Sequence, residues 1–504
     1  MKARRAIFPI LLVFAVGLSL GSFSAAGQTS ALQGGCAPNG NRFDLEPLTN
    51  AAFYGQYNEA VAVILDRGGN GADLVVGGAE DERVLNPLIQ YDGFYSPAYY
   101  VQRDNSNCAA DFEGGIPIVG DFVPVGPAIP AADAAHDAFF IATTNISGNG
   151  SNLAVGIVKS SASNLLNPTN CPNGTQQNPV ACWPIAGVAN ITNSDVQNPS
   201  IAVDQRTSGT GAGDVYIAAT TYIYGTDTTQ ITLSACTNSD LNCSSSVVAS
   251  GADTGPQYPS VQVRPDGGIT IAYGNGAASF GPVQFKFVNC TAHGAPSAPT
   301  CSAPTLVINE PNPALGVPGD IRAFFEQYPY HVDRLESDGK TVTSFLIYDQ
   351  CAVPQIGDYF CPKTQVVLTD SIDGGKTWSP LQVVGAATGE QFLASIALDI
   401  STGTVNIAYF SSQNDKLTFH TQVFLAQVLP GQTTVATAHQ ITQTLYDGPF
   451  GYEDGATDLG LAVGGTGKTG QSRVYIHFTG STSKGIYNNQ AFRIYHNVLT
   501  NYQY

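Results

Sequence analysis

Carboxylates that could converge on one cavity have the widest chemical reach in this 504-residue chain. Glu59, Tyr330, His331 and Asp458 stand at the starts of apolar segments, with Glu326, Glu453 and Asp454 in the loops just ahead of them. Two carboxyl groups facing one cleft can serve as acid and base on a glycosidic bond, and Glu326 with Glu453 is the pair placed for it. The same oxygens could hold calcium or simply line a solvated channel, and the residue pattern leaves all three open. His136, beside Asp137, is a further channel-facing candidate, against the plainer reading of a hydrogen-bonded structural histidine. A second set is aromatic: Tyr95, Tyr99, Tyr100, Tyr222, Tyr224 and Tyr359 fall in loops or at loop edges, beside the acidic run Glu80-Asp81-Glu82 and Arg83, with Arg322 as another cation. Tyrosine rings offer flat surfaces of low conformational entropy to a sugar or a peptide, unless they pack on one another to order the loops. Other chemistries lack their motifs: there is no Gly-x-Ser-x-Gly, His-Glu-x-x-His or Cys-x-x-Cys, and no Gly-rich phosphate loop ahead of a helix.

The elements that must position these groups recur. Asn198-Pro199-Ser200-Ile201-Ala202-Val203-Asp204, followed by Asp214-Val215-Tyr216-Ile217-Ala218, is echoed by Tyr258-Pro259-Ser260-Val261 with Gly268 to Tyr273. Ala394-Ser395-Ile396-Ala397 with Gly403 to Tyr409 repeats it again, and weaker copies begin near Asn58, Asp137, Tyr328 and Leu459. Each unit reads as an apolar strand, a turn, a second strand, a variable loop and then a third and fourth strand about a tight turn. Such a repeat implies an all-β β-propeller of seven four-stranded blades, with six or eight as alternatives. The last unit lacks a clear fourth strand, and Arg42 to Pro47 is expected to supply it and close the ring. The loop before each first strand and the loop between the second and third share one end, the expected ligand face. Arg67, Arg206 and Arg264 fall in turns at the other end.

Ten cysteines follow the same register. Cys171 and Cys182, Cys236 and Cys243, and Cys290 and Cys301 flank short polar turns, which brings each pair within disulfide reach across a hairpin. Cys351 and Cys361 would close a loop on the ligand face, and Cys36 is left as the mate of Cys108. Zinc is the rival reading, but close Cys-x-x-Cys spacing and nearby histidines are absent. In the fifth unit the equivalent turn is Ser371-Ile372-Asp373-Gly374-Gly375-Lys376-Thr377-Trp378, with Val366 to Leu368 running in and Leu381 to Val384 running out. This run matches the Asp-box at every defined position, so the chain resembles the sialidase-like, BNR-repeat β-propellers. Ser371, Asp373, Gly375, Thr377 and Trp378 would then hold a hairpin shut and take no part in chemistry.

The resemblance implies a glycosidase-like fold more than a sialidase activity. Sialidases bring three arginines onto the substrate carboxylate and carry a Phe-Arg-Ile-Pro motif near the start, whereas here Phe492-Arg493-Ile494-Tyr495 lies near the end. Arg83 and Arg322 are the only arginines expected on the ligand face, and Tyr452-Glu453, a possible nucleophile pair, would point to opposite sides of a strand. If the chain is an enzyme, a glycoside hydrolase of sialidase-like fold is the class implied.

Lys2, Arg4 and Arg5, an apolar run from Ala6 to Leu20 and the small residues Ser24-Ala25-Ala26 read as an export signal ending at residue 26. An N-terminal segment over 27–41 and one propeller domain over 42–504 would follow, exported and without a membrane span. A formal net charge of -18 disfavours nucleic acid and anionic membranes as partners. The leading expectation is a secreted monomer that binds a neutral glycan or an extracellular protein on its tyrosine-rich face. No cofactor is required, with calcium open. A glycoside hydrolase and a non-catalytic extracellular scaffold are the alternatives.

Overall fold

The computed structural model describes residues 41–43, 56–68, 72–81, 96–103, 110–148, 150, 152–175, 179–192, 195–226, 228–276, 282–314, 329–353, 361–385, 388–414, 421–442, 459–464, 473–480 and 493–500; for 41–43, 56–59, 80–81, 96, 479–480 and 493–500 only the backbone is considered. Hydrogen bonding groups their strands into seven sheets, which follow one another along the chain. The inner strands are Gln56–Ile64, Ile129–Asp133, Val196–Val203, Pro256–Val263, Tyr330–Leu335, Gln391–Asp399 and Gly460–Gly464. Each of these touches the next, and the last touches the first, so the sheets stand around a ring as a β-propeller. The outer strand of the seventh sheet is Asn41–Phe43, paired antiparallel to Arg493–Thr500 with Arg42 opposite Tyr495. The first and last described strands therefore meet in one sheet.

Apolar clusters lie between neighbouring sheets, as alternation along each strand requires. In Val215–Ile223, for example, Val215, Ile217 and Ala219 face the second sheet's cluster, while Tyr216 and Ala218 face the fourth sheet's. Uniform four-stranded sheets are not what forms. The inner position of the second sheet is split into Phe122–Pro124 and Ile129–Asp133, and the outer position of the fourth into Thr300–Cys301 and Thr305–Glu310. The first sheet gains a fifth strand from its neighbour, because Gly174–Thr175 pairs parallel to Phe112–Gly115.

That borrowed strand corrects the expected role of Cys171–Cys182. The disulfide does not close a simple hairpin turn; it ties an insertion with two short helices, Ala162–Leu165 and Pro179–Cys182, that docks on the first sheet's outer edge. Trp183 packs edge-on against Tyr99, and Arg103 lies over Phe112 while donating to the Leu165 and Cys171 carbonyls. The other described pairs are as read: Cys290 and Cys301 are register partners, Cys236 and Cys243 form a bridge, and Cys351–Cys361 closes its loop. Cys36 and Cys108 lie outside the described residues.

The Asp-box hairpin is held by hydrogen bonds. Asp373 Oδ1 accepts from the Lys376 and Thr377 amides, both at 3.0 Å, and Oδ2 from the Thr377 hydroxyl at 2.7 Å. The Thr377 amide and hydroxyl are the main reason the Asp373 carboxyl is held down to about 2. Ser371 Oγ accepts from the Gly375 amide, and the Trp378 indole donates to the Gly375 carbonyl. Half-buried Trp378 meets Phe287 of the fourth sheet edge-to-face. Gly375 has φ 81°, and a Cβ there would sit 2.4 Å from Phe287 Cδ1. Gly375→Ala is therefore expected to cost about 1–3 kcal/mol. Chemical denaturation would show it, and an unchanged midpoint would mean the hairpin tolerates both the φ and the contact.

Candidate functional site

Three inner strands share a bulge at the end where a ligand face is expected, at Asn198, Tyr258 and Leu393, each with φ of 50–56°. The preceding sheet holds two of these irregular amides: Tyr258 N donates to Thr220 Oγ1 and Leu393 N to Asp349 Oδ2. The bulge turns the Tyr258 and Leu393 side chains onto the clusters shared with the next sheets. Bulges with such strain commonly sit beside binding surfaces, because they re-aim the chain at a sheet's rim.

Next to the first of them, the third sheet presents an aromatic corner. The Tyr224 ring is 62% exposed, and its hydroxyl donates to Asp195 Oδ1 at 2.6 Å. That hydrogen bond to a carboxylate is the first cause of the raised Tyr224 pKa. Half-buried Tyr222 accepts from Gln257 Nε2 at 2.8 Å, and its amide donates to the Asp195 carbonyl. Asp195 and Gln257 had no motif to mark them; the only signal is their place just before recognised repeats.

Three other carboxylates at this end, Asp253, Glu310 and Glu390, are already engaged. Asp253 binds Lys286 Nζ and the Tyr273 hydroxyl, both at 2.6 Å. Buried Glu310 receives the Tyr348 hydroxyl, Gln350 Nε2 and the Asn312 amide, linking the fourth sheet to the fifth. Glu390, whose pKa burial raises, accepts from the Thr364 amide and hydroxyl. Among the described residues no group of acidic, histidine or cysteine side chains is arranged to hold a metal ion.

Several expected site residues are elsewhere in the fold. Tyr99 and Tyr100 are not loop residues: they lie in Ser96–Gln102 and are fully buried, Tyr100 stacked on His477 with its hydroxyl 2.7 Å from Nδ1. His331 does not face the channel. It is buried between sheets, with Nε2 2.9 Å from Thr270 Oγ1 and Nδ1 3.1 Å from Ser260 Oγ. Tyr330 is half-buried and packs on the cluster between the fifth and sixth sheets. Adjacent strand residues point to opposite faces of a sheet, so Tyr330 turns to the sixth sheet and His331 to the fourth, and neither turns to the channel. His136 and Asp137 lie in the turn after Ile129–Asp133, at the opposite end from the ligand face, and Asp137 pairs with Arg67. Glu59 is in Gln56–Ile64 at a register shift, where only backbone is considered. Arg83, Tyr95, Arg322, Glu326, Tyr359, Glu453, Asp454 and Asp458 lie outside the described residues.

Every arginine whose side chain is described sits at the opposite end, paired to the protein. Arg67 binds Asp137, Arg206 binds Asp204, Arg264 binds Asp266, Arg334 binds Glu336 and Arg473 binds Asp73. Arg103 is held by the docked insertion. These arginines are clasps between or within sheets, not a site for an anion. Among the described residues no helix is long and apolar enough to cross a membrane.

No family model and no curated protein matches the chain. Similar solved structures include a polysaccharide lyase, at 9% identity and TM-score 0.44, covering 94% of this chain and 95% of that one. The GH93 α-L-arabinofuranosidase of Fusarium graminearum, in complex with an iminosugar inhibitor, has 11% identity and TM-score 0.39, with 91% and 97% covered. The β-propeller domain of a trilobed protease from Pyrococcus furiosus has 8% identity and TM-score 0.38, with 90% and 98% covered.

Proposed function

We propose that this protein is an exported propeller, one blade to each of its seven sheets and sialidase-like in its Asp-box, that binds a neutral glycan on the face carrying Tyr222 and Tyr224. The observation that carries the reading is the Tyr224 ring, open to solvent while its hydroxyl is fixed by Asp195. A ring held in place offers a stacking platform at little entropic cost, and the neighbouring carboxylate and amide suit sugar hydroxyls. The negative net charge and the arginine clasps at the far end both favour a neutral ligand over an anionic one. The disulfides support a life outside the reducing cytosol.

A glycan array followed by calorimetry tests this. Tyr224→Ala is expected to weaken the best neutral ligand about tenfold or more. Arg67→Ala, at the other end, should leave affinity unchanged. Binding restricted to sialylated or sulfated glycans, or an effect of Arg67→Ala equal to that of Tyr224→Ala, would reject the proposal. Turnover of chromogenic glycosides would replace it with the hydrolase reading, in which Glu326 and Glu453 are the residues to substitute first.

A further inference from the structure

Lys159, Asn238 and Asp133 come from three separate stretches of chain and meet at the junction of the second and third sheets. Lys159 lies in Leu153–Ser161, Asp133 ends Ile129–Asp133, and Asn238 is in the turn closed by Cys236–Cys243. Lys159 Nζ donates to Asn238 Oδ1 at 2.6 Å and to the Asn238 carbonyl at 2.5 Å. A nitrogen 2.6 Å from Oδ1 is within about 3.8 Å of the side-chain carbon Cγ, since the C=O bond is about 1.23 Å. Asn238 Nδ2 in turn donates to Asp133 Oδ2 at 2.9 Å. The Asp133 side chain is fully buried and is held by His136, whose Nδ1 lies 2.7 Å from Oδ2 and whose amide donates to Oδ1 at 3.1 Å. The Phe140 ring lies 5.7 Å from Lys159 Nζ. Gly213, at φ 81°, leaves the space that His136 and Asn238 fill; a Cβ there would come within 3.2 Å of the imidazole.

An amine beside an amide carbon, with a carboxylate on that amide's nitrogen and all partly out of water, supplies the components of an amide exchange. We propose that Lys159 and Asn238 join through an isopeptide bond, with Asp133 as the proton carrier. As Nζ closes on Cγ of Asn238 it gives up a proton to the Asp133 carboxylate, which already holds the neighbouring Nδ2, and attacks as the neutral amine. Asp133 then returns the proton to Nδ2, which it already contacts, the Cγ–Nδ2 bond breaks, and ammonia leaves with the remaining amine proton redistributed to it. An alkylammonium and a primary amide become a secondary amide and an ammonium ion, with no oxidant, reductant or other reactant. Burial lowers the Lys159 pKa, which favours the attacking form. Holding the reacting atoms in place supplies the rest of the advantage over the same reaction in solution. The product is a covalent tie between neighbouring sheets, rooted in a turn that a disulfide already fixes.

Intact-mass measurement on the reduced full-length mature protein, with its N-terminus determined, tests this. The mass is expected to fall one ammonia below that of the sequence, and a proteolytic digest should contain a branched peptide joining Lys159 to Asn238. Lys159→Arg, which keeps the charge and can keep the hydrogen bonds, should fold and show the full mass. Asp133→Ala retains both reacting groups and should also show the full mass. A wild-type protein of full mass, or one lacking ammonia but without the branched peptide, would overturn the proposal. Full branching in Asp133→Ala would overturn the role given to Asp133.

Discussion

Arg334→Met is expected to destabilise the fold by about 3 kcal/mol, the low end of the cost of breaking a buried ion pair from one side, because the Glu336 side chain keeps 18% of its surface in solvent. The Arg334 side chain is only 2% exposed and lies 4.7 Å over the Phe345 ring. Nε donates to Glu336 Oε1 at 2.8 Å, Nη1 to the Leu429 carbonyl at 3.0 Å and Nη2 to the Gln432 carbonyl at 2.7 Å. Leu429 and Gln432 follow the third strand of the sixth sheet, so one guanidinium joins two sheets. Methionine keeps the apolar stem but leaves Glu336 and both carbonyls without this donor, and a buried acceptor deprived of its partner loses its desolvation cost uncompensated. Urea denaturation monitored by tryptophan fluorescence reads the change. A loss below about 1 kcal/mol would mean that water replaces the guanidinium at the seam.

Acid is expected to loosen the seam between the fourth and fifth sheets through His331. Burial pushes its pKa from 6.5 down to about 4, with Asp333 opposing the shift. The folded protein therefore keeps this imidazole neutral where the unfolded chain protonates it. Stability from this group is complete above pH 6.5, falls as pH drops through the window from 6.5 to about 4, and levels off below. The shift corresponds to about 3 kcal/mol at 1.36 kcal/mol per pKa unit. The local bonding fits the neutral form: Thr270 Oγ1 donates to Asp333 Oδ2, so it can accept from Nε2–H, and the Ser260 hydroxyl can donate to Nδ1. His439, also shifted down by burial, adds a change of the same sign. Comparing unfolding at pH 7.5 and 4.5 in the wild type and His331→Gln isolates His331. The variant, though less stable at neutral pH, should lose much less on acidification, and parallel losses would assign the acid sensitivity elsewhere.

The repeated inner strands were legible because period-2 apolar patterning recurs at Asn198, Tyr258 and Ala394, after a Pro-Ser step in the first two and an Ala-Ser step in the third, and each recurrence is an inner strand in the structure. The Asp-box was legible because the bonds that close its turn run between residues of Ser371 to Trp378, whereas the donations of Asn289 and Thr305 to its Gly374 and Gly375 carbonyls needed the fold. Side-chain direction at the strand starts was not. Both faces of an inner strand meet neighbouring sheets, so His331 is core on either face, and in three other inner strands bulges at Asn198, Tyr258 and Leu393 shift the register with no glycine to announce them. The docking of the Cys171–Cys182 insertion on the first sheet was equally hidden, since only the fold brings Arg103 to the Leu165 carbonyl. The same is true of Lys159 and Asn238, which are 79 residues apart. Of the candidate binding set, Tyr224 is exposed in the turn after Val215–Ile223 and Tyr222, expected in a loop, is half-buried within that strand, while Tyr99, Tyr100 and His331 are core.

Hydrogen exchange measured with and without the strongest neutral oligosaccharide from the array tests most directly whether the aromatic end is the binding face. Protection is expected around Asp195 and across Tyr222 to Thr226, with exchange in the turns holding Arg67, Arg206 and Arg264 unchanged. Protection confined to those turns, or none anywhere at saturating sugar, would contradict it.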